Sequence, residues 1–420
     1  MTESGMSVRD ILRIRDYRRL LGGQAVSDIG DGITIFLLLL VINDLTGSMT
    51  ALALMAIAQA VPAFTVGLVA GVYVDRWNRR SVMLASDALR AVIVLLFAAA
   101  VAIQAVPLLF ILGFVQASVA TFFRPARGAM LPRIVSRDGL PAANSLAQGS
   151  MVIGSVIGTG IAGLIFGTLG AGLAGFAISA ALFGVSFAFI SGLPSELGRI
   201  RTEDADAPRE SVRASMLDGL RIVRGSRALS GSLIAAAVSM LGLGAVNVLF
   251  VPLLMNDLRV DPTWMAGIEL AQTSAMILAA GIVALLARRL QPTTIIWVTL
   301  AGIGVCIGLL SGVTAVWQVI VVLFIVGWMV TPLQAMLQTI VQSAATDATR
   351  GRVVSLLQAS LSTASVTSMA IGGVLGDLVG IRAVYLGAAV IVVAAAGIAW
   401  AMFRGVPRPE AGPAPQPVVG

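Results

Sequence analysis

Long apolar segments recur along the whole chain of 420 residues, separated by short polar stretches. Each segment has about 20 residues, enough for a helix to cross the roughly 30 Å hydrocarbon core of a bilayer. We predict twelve membrane-spanning helices, called spans 1 to 12, at 20–42, 50–74, 81–103, 107–126, 141–167, 171–193, 229–254, 264–287, 293–312, 316–338, 353–377 and 383–403. The pattern therefore predicts an all-α membrane protein.

The basic residues lie almost entirely on one side of these spans. All 28 are arginine: 25 fall in the terminal segments or the even-numbered connections, Arg259 and Arg382 fall on the other side, and Arg90 lies within span 3. Positive side chains are retained on the cytoplasmic side of membranes. We therefore predict a multi-pass protein of the cytoplasmic membrane with both termini in the cytoplasm. This topology explains the +7 charge without any nucleic-acid partner.

The longest polar connection, 194–228, divides the chain into an N-terminal half (1–193) and a C-terminal half (229–404), each with six spans. Part of this linker, 211–225, has the pattern of an amphipathic helix on the membrane surface, and 405–420 reads as a disordered cytoplasmic tail. Short stretches repeat between the halves: "GAMLPRIV" (128–135) matches "QAMLQTIV" (334–341), and "SLAQGS" (145–150) matches "SLLQAS" (355–360). An even number of spans per half makes the repeat parallel, with its axis along the membrane normal.

The stretch "GVYVDRWNRR" (71–80), between spans 2 and 3, carries a resemblance to a known family. It resembles the loop signature of the major facilitator superfamily, Gly-x-x-x-Asp-Arg-x-Gly-x-Arg-Arg, shortened by one residue and with Asn78 in place of Gly. "SDIGDGITIFLLLLVINDLTGS" and "RPARGAMLPRIV" are similar to the macrolide-efflux and enterobactin-exporter branch. The resemblance covers nearly the whole chain. It implies the fold of that superfamily, with two pseudo-symmetric halves, and export as the mechanism.

Charged residues of this loop are candidates for a gate. Gly71 permits close helix contact, and a carboxylate at Asp75 can pair with the positive N-terminal end of a neighbouring helix. The resemblance implies that this neighbour is span 11, which starts near Arg352. Three arginines can bridge to acids and to lipid phosphates: Arg76, Arg79 and Arg80. Alternatively, these arginines only determine topology.

Asp87 and Arg90 lie one helical turn apart in the first part of span 3. Side chains at this spacing can form an ion pair, which we place near the membrane boundary. Together with the loop 71–80, the pair is predicted to hold the two halves together on the cytoplasmic side. The state stabilised in this way is outward-facing.

Span 5 contains "GSVIGTGIAG" (154–163), in which Gly154, Gly158 and Gly163 match part of an antiporter signature. Thr159 replaces the proline of that signature, and Ala162 replaces one glycine. Without its proline, the signature does not predict a helix kink here. Small residues four positions apart also form a close packing face between membrane helices, so packing remains the alternative role.

Two carboxylates, Asp28 and Asp31, lie in span 1. Asp31 is eleven residues beyond Leu20, which places it about 16 Å deep and near the bilayer centre. Intramembrane acids usually serve a function, and carboxyl groups are the natural proton carriers in a chain without histidine. We predict that Asp31 exchanges protons, with Asp28 as its supporting partner. Glu269 of span 8 could attract a cationic substrate or take a proton. Static packing is the alternative for all three acids.

The polar residues of span 1 fall within an arc of about 120°, at 100° per residue, and should face a central cavity. Candidate cavity-lining residues here and on other spans are Gln24, Thr34, Gln116, Asn247, Gln334, Gln338, Gln358 and Ser362. Polar side chains also pack helices together, which is the alternative for each of them. With no histidine, no lysine and one cysteine, we expect no metal, no cofactor and no phosphate-binding P-loop.

These features favour a secondary active exporter that moves small amphiphilic molecules in exchange for protons. We expect a monomer that contacts membrane lipids, with no enzymatic activity. Sodium is an alternative coupling ion, because carboxylates bind it too. An uptake carrier or facilitator of a siderophore or other metabolite is a second hypothesis with the same fold. A non-transporting membrane protein, such as a receptor or lipid-handling factor, is a third.

Overall fold

The computed structural model describes residues 6–74, 76–170, 172–198, 212–344 and 347–404. Within these residues, twelve helices are long and apolar enough to cross a membrane. The predicted number of spans is therefore confirmed. The tail 405–420 and the first part of the linker, 199–211, lie outside the described residues.

A short helix, Val8–Arg13, precedes the N-terminal half. The spans that follow are Arg15–Thr46, Met49–Ala60 continued by Pro62–Val74, Arg79–Ala102, Val106–Ile134, Leu140–Leu169 and Leu173–Ser191. Span 2 is interrupted at Val61, directly before Pro62. A proline lacks the N–H that would continue the helix and restricts the residue before it, so the break follows from the sequence.

The C-terminal half has the same plan. Its spans are Arg227–Pro252 followed by a π-helical turn Leu253–Asp257, Met265–Arg289 after a short turn at Pro262–Trp264, Pro292–Leu310, Val316–Ala344, Asp347–Val379 and Ile381–Phe403. Spans 4 and 10 end at Ile134 and Ala344, beyond the predicted 126 and 338.

Helix packing repeats between the two halves. In the N-terminal half span 1 packs on spans 5 and 6, span 3 on spans 4 and 6, and span 2 on span 4. In the C-terminal half span 7 packs on spans 11 and 12, span 9 on spans 10 and 12, and span 8 on span 10. Each neighbour pair thus recurs six spans later, which confirms two pseudo-symmetric halves.

The halves meet through spans 2 and 11 and through spans 5 and 8. Both seams lie at the far side, our name for the side opposite the termini and most of the arginines. Asn43 of span 1 and Asn256 of span 7 also exchange two amide hydrogen bonds there, of 2.9 and 3.1 Å. The protein is thus closed on the far side. The sequence predicts closure of the opposite, arginine-rich side by the loop 71–80, whose Asp75 lies outside the described residues.

The predicted amphipathic helix of the linker is present as Val212–Gly225. It packs on the beginning of span 11, where Asp218 forms a 3.1 Å ion pair with Arg352. Gly219 permits the close approach, because a Cβ there would lie 2.8 Å from the carbonyl oxygen of Arg352. The linker helix is therefore anchored to the C-terminal half at its arginine-rich end.

Candidate functional site

A charged network is buried inside the N-terminal half. Arg90 of span 3 lies 2.8 Å from the carboxylate of Asp31 of span 1 and 2.6 Å from that of Asp87. The side chains of Arg90 and Asp87 are 1% and 0% exposed, whereas that of Asp31 is 30% exposed. Asp31 is therefore the member of the network that solvent can reach.

Two serines complete the polar contacts of this network. The Ser27 hydroxyl accepts a 2.9 Å hydrogen bond from Arg90, and the Ser186 hydroxyl of span 6 donates one of 2.6 Å to Asp87. Buried ionic groups require such partners, because their desolvation is otherwise uncompensated. Spans 1, 3 and 6 are thus joined around one guanidinium group.

Aromatic rings cover the remaining surface of the guanidinium. The Arg90 Cζ atom lies 4.9 Å from the ring centre of Phe123 and 4.5 Å from that of Phe183. A cation over an aromatic face is attracted to the ring. Because both rings also exclude water, the electrostatic interactions among Arg90 and its two carboxylates are strengthened.

Asp87 and Arg90 form the ion pair expected from their spacing, and it is buried within the helix bundle. The contact between Arg90 and Asp31, which are 59 residues apart, is not predicted by the sequence pattern. The available signal was an arginine within span 3, which needs a buried carboxylate as its partner.

Two residues of the predicted cavity face in span 1 do not line a cavity. Gln24 is buried and donates a 2.8 Å hydrogen bond to the carbonyl oxygen of Ala147 in span 5. Thr34 is buried and shares a 2.7 Å hydrogen bond with Ser179 of span 6. Span 1 is in contact with both neighbours, so Gln24 and Thr34 are used for helix packing.

Asp28 remains partly exposed and accepts a 3.1 Å hydrogen bond from Gln24. Gly154 of span 5 lies against it, since a Cβ at Gly154 would be 2.8 Å from the Asp28 Cβ. Arg124 and Arg127 of span 4 lie within electrostatic range of its carboxylate. Asp28 thus connects the packing face of span 5 with the acidic face of span 1.

Gln116 of span 4 is 6% exposed, and neither its amide nitrogen nor its amide oxygen has a hydrogen-bond partner. Buried polar groups in proteins are nearly always paired, so an exception indicates strain or a ligand. Gln116 was predicted as a cavity residue. Its burial and its unpaired amide single it out among the described candidates.

The C-terminal half presents the other predicted cavity residues. Ser362 and Glu269 are partly exposed. Four amide side chains are exposed: Asn247, Gln334, Gln338 and Gln358. Gln358 lies eighteen residues before Gly376, which is five helical turns, so both are on one face of span 11. Because Gly376 contacts Met49 across the seam, Gln358 also faces the N-terminal half.

The glycines of span 5 pack against two different helices. A Cβ at Gly158 would lie 2.7 Å from the carbonyl oxygen of Ile29 and 2.8 Å from the Cα of Gly32, both in span 1. Gly163 instead touches the beginning of span 8, where a Cβ would meet Met265 at 3.2 Å. The helix is continuous from Leu140 to Leu169. Close packing of span 5 between the two halves is the role that the contacts define.

The structure describes most of the loop between spans 2 and 3. Asp75 lies outside the described residues, and so do the side-chain surroundings of Gly71. Arg76 is exposed. Arg80 donates a 2.6 Å hydrogen bond to the carbonyl of Ser191, at the end of span 6, and Arg79 contacts the carbonyl of Ala129 at 3.4 Å. These two arginines therefore contact their own half in this state.

Twelve spans in two repeated halves, closed against each other on one side and holding buried charges within, define a membrane transporter. The sequence model of the Major Facilitator Superfamily matches residues 20–316 and 233–418. The chain belongs to this superfamily. It is a transporter and a multi-pass protein of the cell membrane.

Known proteins similar to this chain include efflux pumps. The chain is 28% identical to the multidrug efflux pump Tap of Mycolicibacterium fortuitum, over 85% of this chain and 88% of that protein. It is 24% identical to macrolide efflux protein A of Streptococcus pyogenes, over 62% and 64%. The fold is similar to that of the nucleoside transporter NupG, with a TM-score of 0.74 at 14% identity and coverage of 93% and 99%.

Proposed function

We propose that the protein is a secondary active exporter that moves amphiphilic, drug-like molecules outward in exchange for protons. Both termini are cytoplasmic in this proposal, in line with the distribution of arginines. The two halves rock against each other about the central path, which is the usual motion of such repeats. The names of the similar efflux pumps support export of drugs as the activity.

The observation that carries the proposal is the imbalance of charge around Arg90. Two carboxylates, Asp31 and Asp87, share one arginine, so the ionised network has a net charge of −1. One proton neutralises it. Asp31 is the solvent-accessible carboxylate, so the proton binds there while Asp87 continues to pair with Arg90. Since charge is costly inside a membrane, the protonated and ionised networks favour different arrangements of the surrounding helices.

In the proposed cycle, closure of the far side corresponds to one particular step. With the termini in the cytoplasm, the far side is the outer one, and the cavity is open to the cytoplasm. Gln358, which faces the N-terminal half from the arginine-rich part of span 11, is exposed there. This is the state in which an exporter loads its substrate.

Uptake of a substrate panel into inside-out vesicles tests the proposal. A proton gradient, acidic inside, should drive accumulation by the natural chain, and an uncoupler should abolish it. Asp31→Asn should retain substrate binding but lose the gradient-driven accumulation. Asp44→Asn is the matched control, because Asp44 is an exposed carboxylate near the other end of the same helix. It should behave like the natural chain.

Uncoupler-sensitive accumulation that is unchanged in Asp31→Asn would remove Asp31 from the coupling role. If the protein instead exchanges substrate across the vesicle membrane without any pH gradient, and an imposed gradient does not change the rate, it is a facilitator. Imposing a sodium gradient in place of the proton gradient, in the same vesicles, distinguishes the two coupling ions. Each outcome is a measured initial rate compared with protein-free vesicles.

A further inference from the structure

We propose that Asp377 is a positioning residue that holds the far side closed, by capping a helix of the other half. It lies near the end of span 11, whereas the helix that it caps is the first part of span 2, Met49–Ala60. The inference rests on the proposed alternating-access cycle, in which this seam has to open. It adds a named contact whose rupture accompanies opening.

The Asp377 carboxylate accepts four hydrogen bonds from three consecutive residues of span 2. The backbone N–H groups of Met49 and Thr50 donate at 2.8 and 2.9 Å. The hydroxyl groups of Ser48 and Thr50 donate at 3.0 and 2.6 Å. The first turn of a helix has N–H groups without intrahelical partners and a partial positive charge. A carboxylate is therefore a strong partner for it, and here the other half of the molecule supplies that carboxylate.

Glycines allow span 11 to come this close. A Cβ at Gly376 would lie 2.6 Å from the Met49 sulfur, and one at Gly373 would lie 2.9 Å from the Met49 carbonyl oxygen. Both glycines precede Asp377 on the helix face that meets span 2. The seam therefore combines a flat packing surface with one charged contact at its outer end.

The pseudo-equivalent seam, between spans 5 and 8, is built differently. Span 8 starts at a turn capped within its own half, because Asp261 accepts a 2.9 Å hydrogen bond from the N–H of Thr263. Span 5 presents Gly167 to this turn rather than an acid. When the halves separate, span 8 keeps its cap and span 2 loses Asp377. The charged contact that has to break on opening therefore lies at the seam between spans 2 and 11.

Asp44 provides a comparison on the same side of the molecule. It is an exposed carboxylate near the end of span 1, and no hydrogen bond or ion pair joins it to another residue in the described part of the chain. Removing its charge leaves the seam contacts intact. Asp44→Asn is therefore the matched control for Asp377→Asn.

Thiol labelling of the purified full-length protein tests the proposal without substrate or ion gradient. The only native cysteine, Cys306, is buried and is replaced by alanine. Met265→Cys then reports opening at the other seam, since Met265 is 2% exposed and packs beside Gly163. Gln358→Cys reports the arginine-rich side, where Gln358 is exposed. A maleimide is the probe, and the labelling rate at each cysteine is the readout.

Asp377→Asn should raise the labelling rate of Met265→Cys about tenfold, because hydrogen bonds to an ionised acceptor are roughly twice as strong as neutral ones. The rate at Gln358→Cys should not rise, since the far side opens as the arginine-rich side closes. Asp44→Asn should leave both rates unchanged. Thr50→Val, which removes only the 2.6 Å hydroxyl contact, should raise the Met265→Cys rate by a smaller factor and serves if Asp377→Asn does not fold.

Unchanged labelling of Met265→Cys in both Asp377→Asn and Thr50→Val would overturn the proposal. A rise at both reporter cysteines would also overturn it, because that result indicates general loosening. An equal rise in Asp44→Asn would assign the effect to charge on the far side rather than to the helix cap. Since labelling measures no transport, failure of the proposed role of Asp377 is distinguishable from failure of proton-coupled export.

Discussion

The guanidinium of Arg90 and the carboxylate of Asp31 lie 2.8 Å apart, and both belong to the N-terminal half. A change in the charge of Asp31 therefore acts first within one half and not across the seam. Span 1 contacts span 5 where Asp28 lies against Gly154. Span 5 in turn meets span 8 of the other half. The proposed proton site is thus connected to the moving seam by one helix.

Replacing Arg90 with leucine should strongly destabilise the protein. The substitution leaves Asp87, which is fully buried, without its cationic partner. Breaking a buried ion pair in this way costs roughly 3–5 kcal/mol. We expect a lower midpoint of thermal unfolding in detergent, measured by tryptophan fluorescence.

A second substitution provides the control for Arg90→Leu. In Arg90→Leu with Asp87→Asn, the buried charge is removed together with its partner. Part of the lost stability should return, because a neutral amide can still bond to the Ser186 hydroxyl. If the double variant is no more stable than Arg90→Leu alone, the uncompensated charge of Asp87 is not the cause.

Gln116→Leu should change stability and transport in opposite directions. The Gln116 amide is buried without a hydrogen-bond partner. An unsatisfied buried polar group costs about 1–3 kcal/mol, so leucine should raise the unfolding midpoint. If the amide binds a polar group of the substrate, the same variant should transport more slowly, with the loss seen mainly as a higher KM. A variant that is more stable and transports normally would exclude Gln116 from substrate binding.

Gly158→Ala should destabilise the contact between spans 1 and 5. The new methyl group would lie 2.7 Å from the Ile29 carbonyl oxygen, and neither helix backbone can yield without moving its neighbours. Overpacking of this kind costs about 1–3 kcal/mol. Gly149→Ala in the same helix is the control, because nothing lies within 4 Å of a Cβ there. If both variants unfold at the same temperature as the natural chain, the close contact at Gly158 is not needed for stability.

The number, order and two-half arrangement of the spans follow from the sequence because apolar length and arginine position act locally. The partners of Arg90 do not, since they depend on which faces of spans 1, 3 and 6 meet. The arc of polar residues in span 1 shows this limit. It groups Asp28 with Asp31, which are both partly exposed, yet Gln24 and Thr34 of the same arc are buried against neighbouring helices. Periodicity identifies a polar face but not how much of it a neighbour covers.

The sequence pattern also does not determine which side of the molecule is closed. Residues 71–80 predicted contacts that close the arginine-rich side, whereas the far side is the closed one. Asp377 of span 11 and the first turn of span 2 are 327 residues apart at the hydrogen bond to Thr50. An alternating-access protein encodes both sets of contacts in one sequence, so pattern alone cannot decide which set is formed.

Glu269→Gln should separate cationic from neutral substrates. Glu269 is a partly exposed carboxylate of span 8, four residues beyond Met265 and therefore near the seam with span 5. No hydrogen bond or ion pair with another described side chain satisfies it, so its charge is available to a ligand. A cation held about 4 Å away at an effective dielectric constant near 20 gains roughly 4 kcal/mol before desolvation, enough for at least a tenfold preference. We expect the KM of lipophilic cations to rise about tenfold on this basis, while neutral macrocycles change less than twofold. Equal loss for both kinds of substrate would instead identify Glu269 as a second proton site, and Asp44→Asn, measured in parallel, should affect neither.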